Sequence, residues 1–405
     1  MRILIIGNGT AAISAVEAMR EVDRDSEITI VSKEKEPVYS PCFLSGYLSG
    51  EIEKNRLYIR DSSFYDENRV ETIFGNAATE VRVKDKKIKL SNGKKLPFDR
   101  LLIAAGSNPV IPRLEGIQGD GVFSFKTISD ADRIMLAAQK ADEAVVMGAG
   151  FIGLEAAEAL SKRGVKVTVI EREDRILPRM LDHEMAEIVK RHIEKNGIRI
   201  ITGKGVKSIQ RKRKQITGVD IDGKTIPCKL LIVAAGVRPN LEMIKNSSIK
   251  TDQGILVDEH MRTSIPDIYA AGDIIELEIQ GIRKTNPIWF NAVKGGKIAG
   301  SDMIGIERRY ETHLMDMNVV TLFGLSVLSV GIQSGTEALK VHDSKGIRKV
   351  YLNDDGSING AQLIGDVTRG GVYLSLINRR FPAGKIDLLQ SAFNYGSTLK
   401  QVSSL

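Results

Sequence analysis

Cysteine is scarce in this 405-residue chain, which has only Cys42 and Cys228. With no Cys-x-x-Cys or other close pair, the chain cannot by itself build a disulfide framework, a cysteine-rich zinc site or an iron–sulfur cluster, and no metal site is expected. So low a thiol content points to a reducing, cytoplasmic compartment. No hydrophobic run is long enough to cross a bilayer. The apolar stretch from Ile3 to Ala18 is interrupted by a glycine turn and preceded by a single basic residue, Arg2, which does not describe a signal peptide. The excess of one charge sign is small, a net +7 among many acids. It leans toward acidic partners, but without a DNA- or RNA-binding module it does not indicate nucleic acid. What is present is 42% hydrophobic residues with charge mixed throughout, enough chain for two or three globular domains.

The first residues carry the strongest local signal. Ile3-Leu4-Ile5-Ile6 reads as a buried strand; it runs into Gly7-Asn8-Gly9-Thr10-Ala11-Ala12 and then an alanine-rich helical stretch. A strand that meets Gly-x-Gly-x-x-Ala and turns into a helix is a dinucleotide fingerprint. Gly7 allows the tight turn, Gly9 a close approach to a pyrophosphate, and Ala12 close helix packing, with the diphosphate on the helix N-terminus. A second strand, Glu27 to Val31, ends near Glu34, about 20 residues past the fingerprint, where an acid meets a ribose hydroxyl. Pro37 to Gly50 is apolar yet broken by proline and glycine, the composition of a segment that lines a site. Val81 to Leu90 reads as a hairpin, and Phe98 to Gly106 as a buried strand ending in the small residues Ala104-Ala105-Gly106.

The pattern then repeats. Glu143 to Met147 is a strand, Gly148-Ala149-Gly150-Phe151-Ile152-Gly153 the full Gly-x-Gly-x-x-Gly, and Lys166 to Ile170 a second strand ending in Glu171. An acid there suits the free ribose hydroxyls of NAD(H) and repels the extra phosphate of NADP(H), an effect that Arg172 offsets in part. Lys229 to Gly236 echoes the earlier Ala-Ala-Gly strand. Two dinucleotide folds of one plan imply two dinucleotides, economically a tightly bound flavin and a nicotinamide that comes and goes.

With Tyr269-Ala270-Ala271-Gly272-Asp273, the chain resembles the FAD-dependent pyridine nucleotide-disulfide oxidoreductase superfamily. The resemblance implies an α/β protein with two Rossmann-like, glutathione reductase-like domains and a small α+β C-terminal domain. Residues 1–112 and 245–310 would form the FAD domain, 113–244 an inserted NAD(H) domain, and 311–405 an interface domain. It implies further that Gly7, Gly9, Ala12 and Glu34 hold the adenosine diphosphate half of FAD, with Ala78 near the adenine. Ala105 and Gly106 would lie on the pyrophosphate side, and Gly272 and Asp273 at the ribityl chain. Gly148, Gly150, Gly153, Glu171 and Gly236 would hold NAD(H), with Glu155 near the nicotinamide.

Within that superfamily the branch rests on a few residues. The first long helix lacks the cysteine pair of glutathione reductase-type enzymes. Tyr39-Ser40-Pro41-Cys42 resembles the single-cysteine segment of coenzyme A disulfide reductases and NADH oxidases, but Phe43-Leu44-Ser45-Gly46 stands where those enzymes have Gly-x-Pro-Tyr. Leu44-Ser45 is similar to ferredoxin and rubredoxin reductases. Those enzymes often have a lysine next, facing the glutamate matched by Glu155, whereas this chain has Gly46. Ile288-Trp289-Phe290-Asn291-Ala292 resembles their tryptophan segment and would put Trp289 beside the flavin. The implied activity is electron transfer between NAD(H) and an iron–sulfur protein or complex subunit through FAD, in a homodimer or hetero-oligomer; the alternative is a Cys42-dependent coenzyme A disulfide reductase or NADH oxidase. Toward the C-terminus, strands are expected at Asn318 to Phe323, Lys349 to Leu352 and Ile358 to Ile364, with a turn at Asp354-Asp355-Gly356 and a helix from Asp366 to Arg380. The basic run Lys204 to Lys214 is a candidate docking patch, although it reads better as a solvated hairpin edge.

Overall fold

A computed structural model describes residues 1–279, 282–310, 316–332, 335 and 337–385. The chain divides into two compact units: Met1–Phe43 with Ile52–Pro109 and Val237–Met315, and Leu44–Glu51 with Val110–Gly236 and Asp316–Leu405.

In the first unit five parallel strands lie in the order Ile268–Ala270, Arg100–Ile103, Arg2–Ile6, Glu27–Ser32, Val70–Phe74. Ile3 to Ile6 and Leu101 to Ile103 are apolar without alternation because both faces of the sheet are covered, and all of them are buried. The helix Thr10–Arg20 packs closely on the helix Trp289–Asp302. Contact between them runs through small residues: a Cβ at Gly296 would stand 2.2 Å from the Ala11 carbonyl oxygen, and one at Gly300 2.4 Å from that of Ala15. The expected hairpin is present as Ala78–Arg82 against Lys87–Leu90.

A second parallel sheet in the other unit repeats this order with Val122–Ser124, Leu230–Val233, Glu143–Met147, Lys166–Ile170 and Arg199–Ile201. The two sheets differ in the source of the fifth strand. The second sheet takes Val122–Ser124 from upstream of its fingerprint; the first takes Ile268–Ala270 after the chain has completed the second sheet. Leu44–Glu51 groups with the second unit because its short helix, Leu44–Ser49, packs on the helices Ile128–Ala138 and Phe151–Lys162, and the Tyr47 hydroxyl donates to Asp132 at 2.8 Å.

The C-terminal sheet of that unit is antiparallel, in the order Met317–Leu322, Leu325–Gly331, Ile358–Gly365, Gly346–Leu352, Glu337–Asp343. The three expected strands and the turn at Asp354 to Gly356 are present. Leu325–Gly331 and Glu337–Asp343 are two further strands beyond those expected. Before the former, Phe323 and Gly324 make a two-residue hairpin turn at φ +48° and +79°, a conformation signalled by Asn-Gly or Asp-Gly and disguised by phenylalanine. The closing helix is shorter than expected, Gly370–Asn378, because Asp366 accepts from the backbone and hydroxyl of Thr368 and holds that stretch in a turn. The N-cap Asp182 of the helix His183–Lys195 accepts from the Tyr351 hydroxyl at 2.6 Å and pairs with Lys349, which ties this sheet to the helix. Of the basic run, Ser208–Lys212 forms a hairpin strand and Arg213-Lys214 its turn, while Lys204 to Lys207 precede the strand. No helix among the described residues is long and apolar enough to cross a membrane.

Candidate dinucleotide sites

Each fingerprint contains glycines of two kinds, and the distinction reveals what the fold needs for itself. Gly7 and Gly148 stand at φ +107° and +109°, and a Cβ on either would lie 2.2 or 2.3 Å from a carbonyl oxygen of the neighbouring strand, Ala104 or Ala234. A Cβ at Gly153 would stand 2.0 Å from the Gly148 carbonyl oxygen, and Ala12 is fully buried. These residues close the turn and seat the helix. Gly9 and Gly150 are different. Both have extended backbones, φ −91° and −79°, that any residue adopts, and a Cβ on either would meet nothing within 4 Å. Both are N-caps with no side-chain hydrogen bond to their helix. The chain therefore leaves space and uncapped backbone donors at both places, which fits a dinucleotide pyrophosphate.

Around Gly9 the first unit gathers the ends of adjacent parallel strands: Gly7 after the first, Ala105-Gly106 after Arg100–Ile103, and Gly272-Asp273 after Ile268–Ala270. This is the edge at which open parallel sheets bind ligands. Asp273 accepts from the Ser107 hydroxyl at 3.0 Å, and the Gly106 carbonyl accepts from Asn240 N–H at 3.0 Å. Ala292, one turn into its helix, lies 3.9 Å from the position of a Cβ on Gly272, so half-buried Trp289 starts its helix at this same edge. Ala78 opens its strand in the three-stranded sheet of this unit. Asn8, not singled out in the sequence, bridges the loop: its amide donates to the Glu36 carbonyl at 3.3 Å, and its oxygen accepts from the Tyr65 hydroxyl at 3.0 Å. Tyr65 in turn accepts from Val38 N–H at 3.1 Å.

In the second unit, Gly148, Gly150 and Gly153 face the end of Lys166–Ile170, and Gly236 follows Leu230–Val233. Buried Glu171 accepts from Ala149 N–H at 2.6 Å and from Glu173 N–H at 2.9 Å, which holds its carboxylate beside the glycine loop. Glu34 does not stand at the corresponding position of the first unit. Gly7 N–H bonds the Val31 carbonyl as Gly148 N–H bonds that of Ile170, both at 2.8 Å, so the counterpart of Glu171 is Ser32. Glu34, two residues on, accepts from the Tyr39 hydroxyl at 2.6 Å. A count along the chain cannot reveal this offset, because strand pairing decides where the strand ends.

Glu155 lies on the helix Phe151–Lys162. Burial, and then the like charge of Glu158, push its carboxyl up to about 7. Lys162 pairs with Glu158 and Glu51, each at 2.9 Å, and no cation pairs with Glu155 among the described residues. Gly46, which stands where the resemblance implied a lysine, sits on the helix that packs against this one. The raised folded pKa means that stability falls as pH rises from about 4.5 to about 7 and stays reduced above it, because the folded state resists ionisation. Glu155→Gln should therefore melt a few degrees higher than the native chain at pH 8, on the order of 2–3 kcal/mol, and no higher at pH 4.5. Thermal melts across that range check it; a pH-independent difference would contradict it.

Cys42 is exposed, on the short turn Pro41–Phe43. Cys228 is buried, and burial followed by the charge of Glu143 pushes its thiol up to about 12, which makes it a poor thiolate source. No cluster of metal-binding side chains occurs among the described residues.

The pyridine nucleotide-disulphide oxidoreductase family model matches residues 1–296. An NADH oxidase of Methanocaldococcus jannaschii is 34% identical over 393 residues, covering 90% of this chain and 88% of that one. An NADH-rubredoxin oxidoreductase of Clostridium acetobutylicum is 30% identical over 401 residues, 97% of this chain and 98% of that one. Among solved structures, an NAD-dependent persulfide reductase from A. fulgidus superposes with a TM-score of 0.91 at 28% identity, covering 97% of this chain and 80% of that one. Two fingerprints built on repeated five-stranded sheets and a family match over most of the chain lead to one conclusion: this protein belongs to the pyridine nucleotide-disulphide oxidoreductase family and is an oxidoreductase that uses FAD and NAD(H).

Proposed function

We propose that this enzyme passes electrons from NADH through FAD to an iron–sulfur protein or complex subunit, or in the reverse direction. The carrying observation is the pair Gly9 and Gly150, glycines that the fold does not need for its own packing, at the helix N-termini of two separate dinucleotide folds. We assign FAD, tightly bound, to residues 1–112 with 245–310, and NAD(H) to residues 113–244. Residues 311–405 offer a partner or subunit surface.

Gly7 and Ala12 shape the loop that would receive the FAD diphosphate, with Gly9 leaving it room. The Ser32 to Glu34 turn lies on the ribose side and Ala78 on the adenine side. Ala105, Gly106, Gly272 and Asp273 serve the remainder of the molecule, and Trp289 the flavin ring. Gly148, Gly150, Gly153 and Gly236 would cradle NAD(H). Glu171 would accept from its ribose hydroxyls, and Glu155 would border the nicotinamide. When bound, FAD would supply a ring that accepts one hydride, a single electron pair, and releases the two electrons singly or together. Support for an iron–sulfur partner comes from the lack of a close thiol pair in the sequence, the net charge of +7, and the full-length likeness to a protein named for rubredoxin. A cytoplasmic setting agrees with the low cysteine content.

The test is anaerobic. Purified protein should show flavin absorption that NADH bleaches and that an oxidised rubredoxin or ferredoxin restores; protein without flavin absorption, or flavin that NADH leaves unbleached, would refute the reading. Two observations favour a second route, in which electrons reach Cys42 and pass to a disulfide or persulfide: the thiol is exposed, and the persulfide reductase superposes on 97% of the chain. Cys42→Ser should keep reduction of the iron–sulfur acceptor within about twofold, a change below ~0.5 kcal/mol in barrier. Loss of all acceptor activity in stopped-flow assays would favour the thiol route.

A further inference from the structure

The two dinucleotide folds can be compared bond by bond at the end of their second strands. In the second, Glu171 accepts from Glu173 N–H at 2.9 Å, the Glu173 carbonyl accepts from Gly203 at 2.7 Å, and the Glu171 carbonyl accepts from Lys204 at 3.1 Å. The first reproduces each bond: the Ser32 hydroxyl accepts from Glu34 N–H at 3.1 Å, the Glu34 carbonyl from Gly75 at 3.1 Å, and the Ser32 carbonyl from Asn76 at 2.9 Å. Ser32 and Glu171 are also buried alike, 7% and 8% exposed. Ser32 is thus the counterpart of Glu171, and Glu34 that of Glu173, a residue on the turn beyond the site.

The two copies also hold their glycine loops differently. Glu171 bonds the loop directly through Ala149 N–H, whereas in the first copy the Asn8 side chain takes over, tied to Tyr65 and the Glu36 carbonyl. A serine is too short to do both tasks of Glu171, so the tether moves to Asn8 and the hydroxyl is left at the ribose position.

We propose that Ser32 is the residue that contacts the adenosine ribose of FAD, through a neutral hydroxyl in place of the acid, and that Glu34 makes no ribose contact and anchors Tyr39 instead. The inference rests on the first fingerprint being the FAD seat. A single hydroxyl contact of this kind is worth roughly five- to tenfold in affinity.

The experiment titrates apoprotein with FAD and, separately, with FMN, following flavin fluorescence. FMN lacks the adenosine half, so a ribose contact affects FAD alone. Ser32→Ala should weaken FAD about five- to tenfold and leave FMN unchanged, Ser32→Thr should restore FAD affinity, and Glu34→Gln should stay within about twofold of native for both. The proposal is overturned if Glu34→Gln loses FAD affinity while Ser32→Ala keeps it, or if Ser32→Ala weakens FAD and FMN equally, as a merely structural serine would. Gly9→Val separates the seat from the contact: unaltered FAD binding by that variant removes the FAD seat itself, whereas its failure to bind FAD beside an unaffected Ser32→Ala removes only the role of Ser32.

Discussion

Gly9→Val is expected to purify as a folded, colourless protein. At φ −91° and ψ −175° the backbone suits valine, and its Cβ meets no protein atom within 4 Å, so the apoprotein loses only about 1 kcal/mol from a poorer N-cap. The branched side chain instead fills the space through which a pyrophosphate reaches the first helix turn. Affinity for FAD should fall at least about a hundredfold, as it must when a dinucleotide loses most of its loop contacts. Gly7→Val makes the contrast, because at φ +107° its Cβ would stand 2.2 Å from the Ala104 carbonyl oxygen and the fold itself should fail. The ratio of flavin to protein absorbance, with a melt of the apoprotein, distinguishes these cases. By the same geometry Gly150→Val should retain its flavin and lose NADH, raising KM for NADH by about a hundredfold or more. If Gly150→Val instead lost its flavin, the assignment of the two seats would be reversed.

Gly296→Ala and Gly300→Ala should each destabilise the protein, although helix propensity alone favours alanine over glycine by about 1 kcal/mol. The opposing term is larger. A Cβ at Gly296 would stand 2.2 Å from the Ala11 carbonyl oxygen and one at Gly300 2.4 Å from that of Ala15, and a backbone oxygen inside a packed helix cannot rotate away. Forcing the helices apart costs about 1–3 kcal/mol for a single methyl group and more where backbone meets backbone, so the net change should be a loss of about 2 kcal/mol at each site. Ala11 lies in the first turn of the fingerprint helix, so the displacement also moves the uncapped donors beside Gly9. Both proteins should therefore melt a few degrees below the native one, and Gly296→Ala should hold flavin less tightly than Gly300→Ala, whose contact lies a turn farther from Gly9. Melting curves with and without added FAD check both parts, and a rise in Tm would show that propensity prevails over packing.

Both fingerprints were legible because their information is local. Strand, glycine turn and helix are contiguous, and the residues that close the turn, Gly7, Ala12, Gly148 and Gly153, are required by sterics within a few residues or by the neighbouring strand. The apolar runs Ile3 to Ile6 and Leu230 to Val233 read as buried strands, and both lie within parallel sheets, fully buried. The turn at Phe323-Gly324 was hidden because a left-handed φ on phenylalanine has no compositional mark and is held by the pairing of the strands it joins. The helix Leu44–Ser49 was hidden because a proline-broken, glycine-rich segment forms a helix there only against the helices it packs on.

The identity of the ribose position shows most directly where sequence ends. Two dinucleotide folds, with glycines at Gly9 and Gly150 and acids following each second strand, are written in the order of the residues. The inequivalence of those acids is set by strand pairing. Hydrogen bonds from Gly7 to Val31 and from Gly148 to Ile170 set the register that pairs Ser32 with Glu171, and spacing along a chain carries no register.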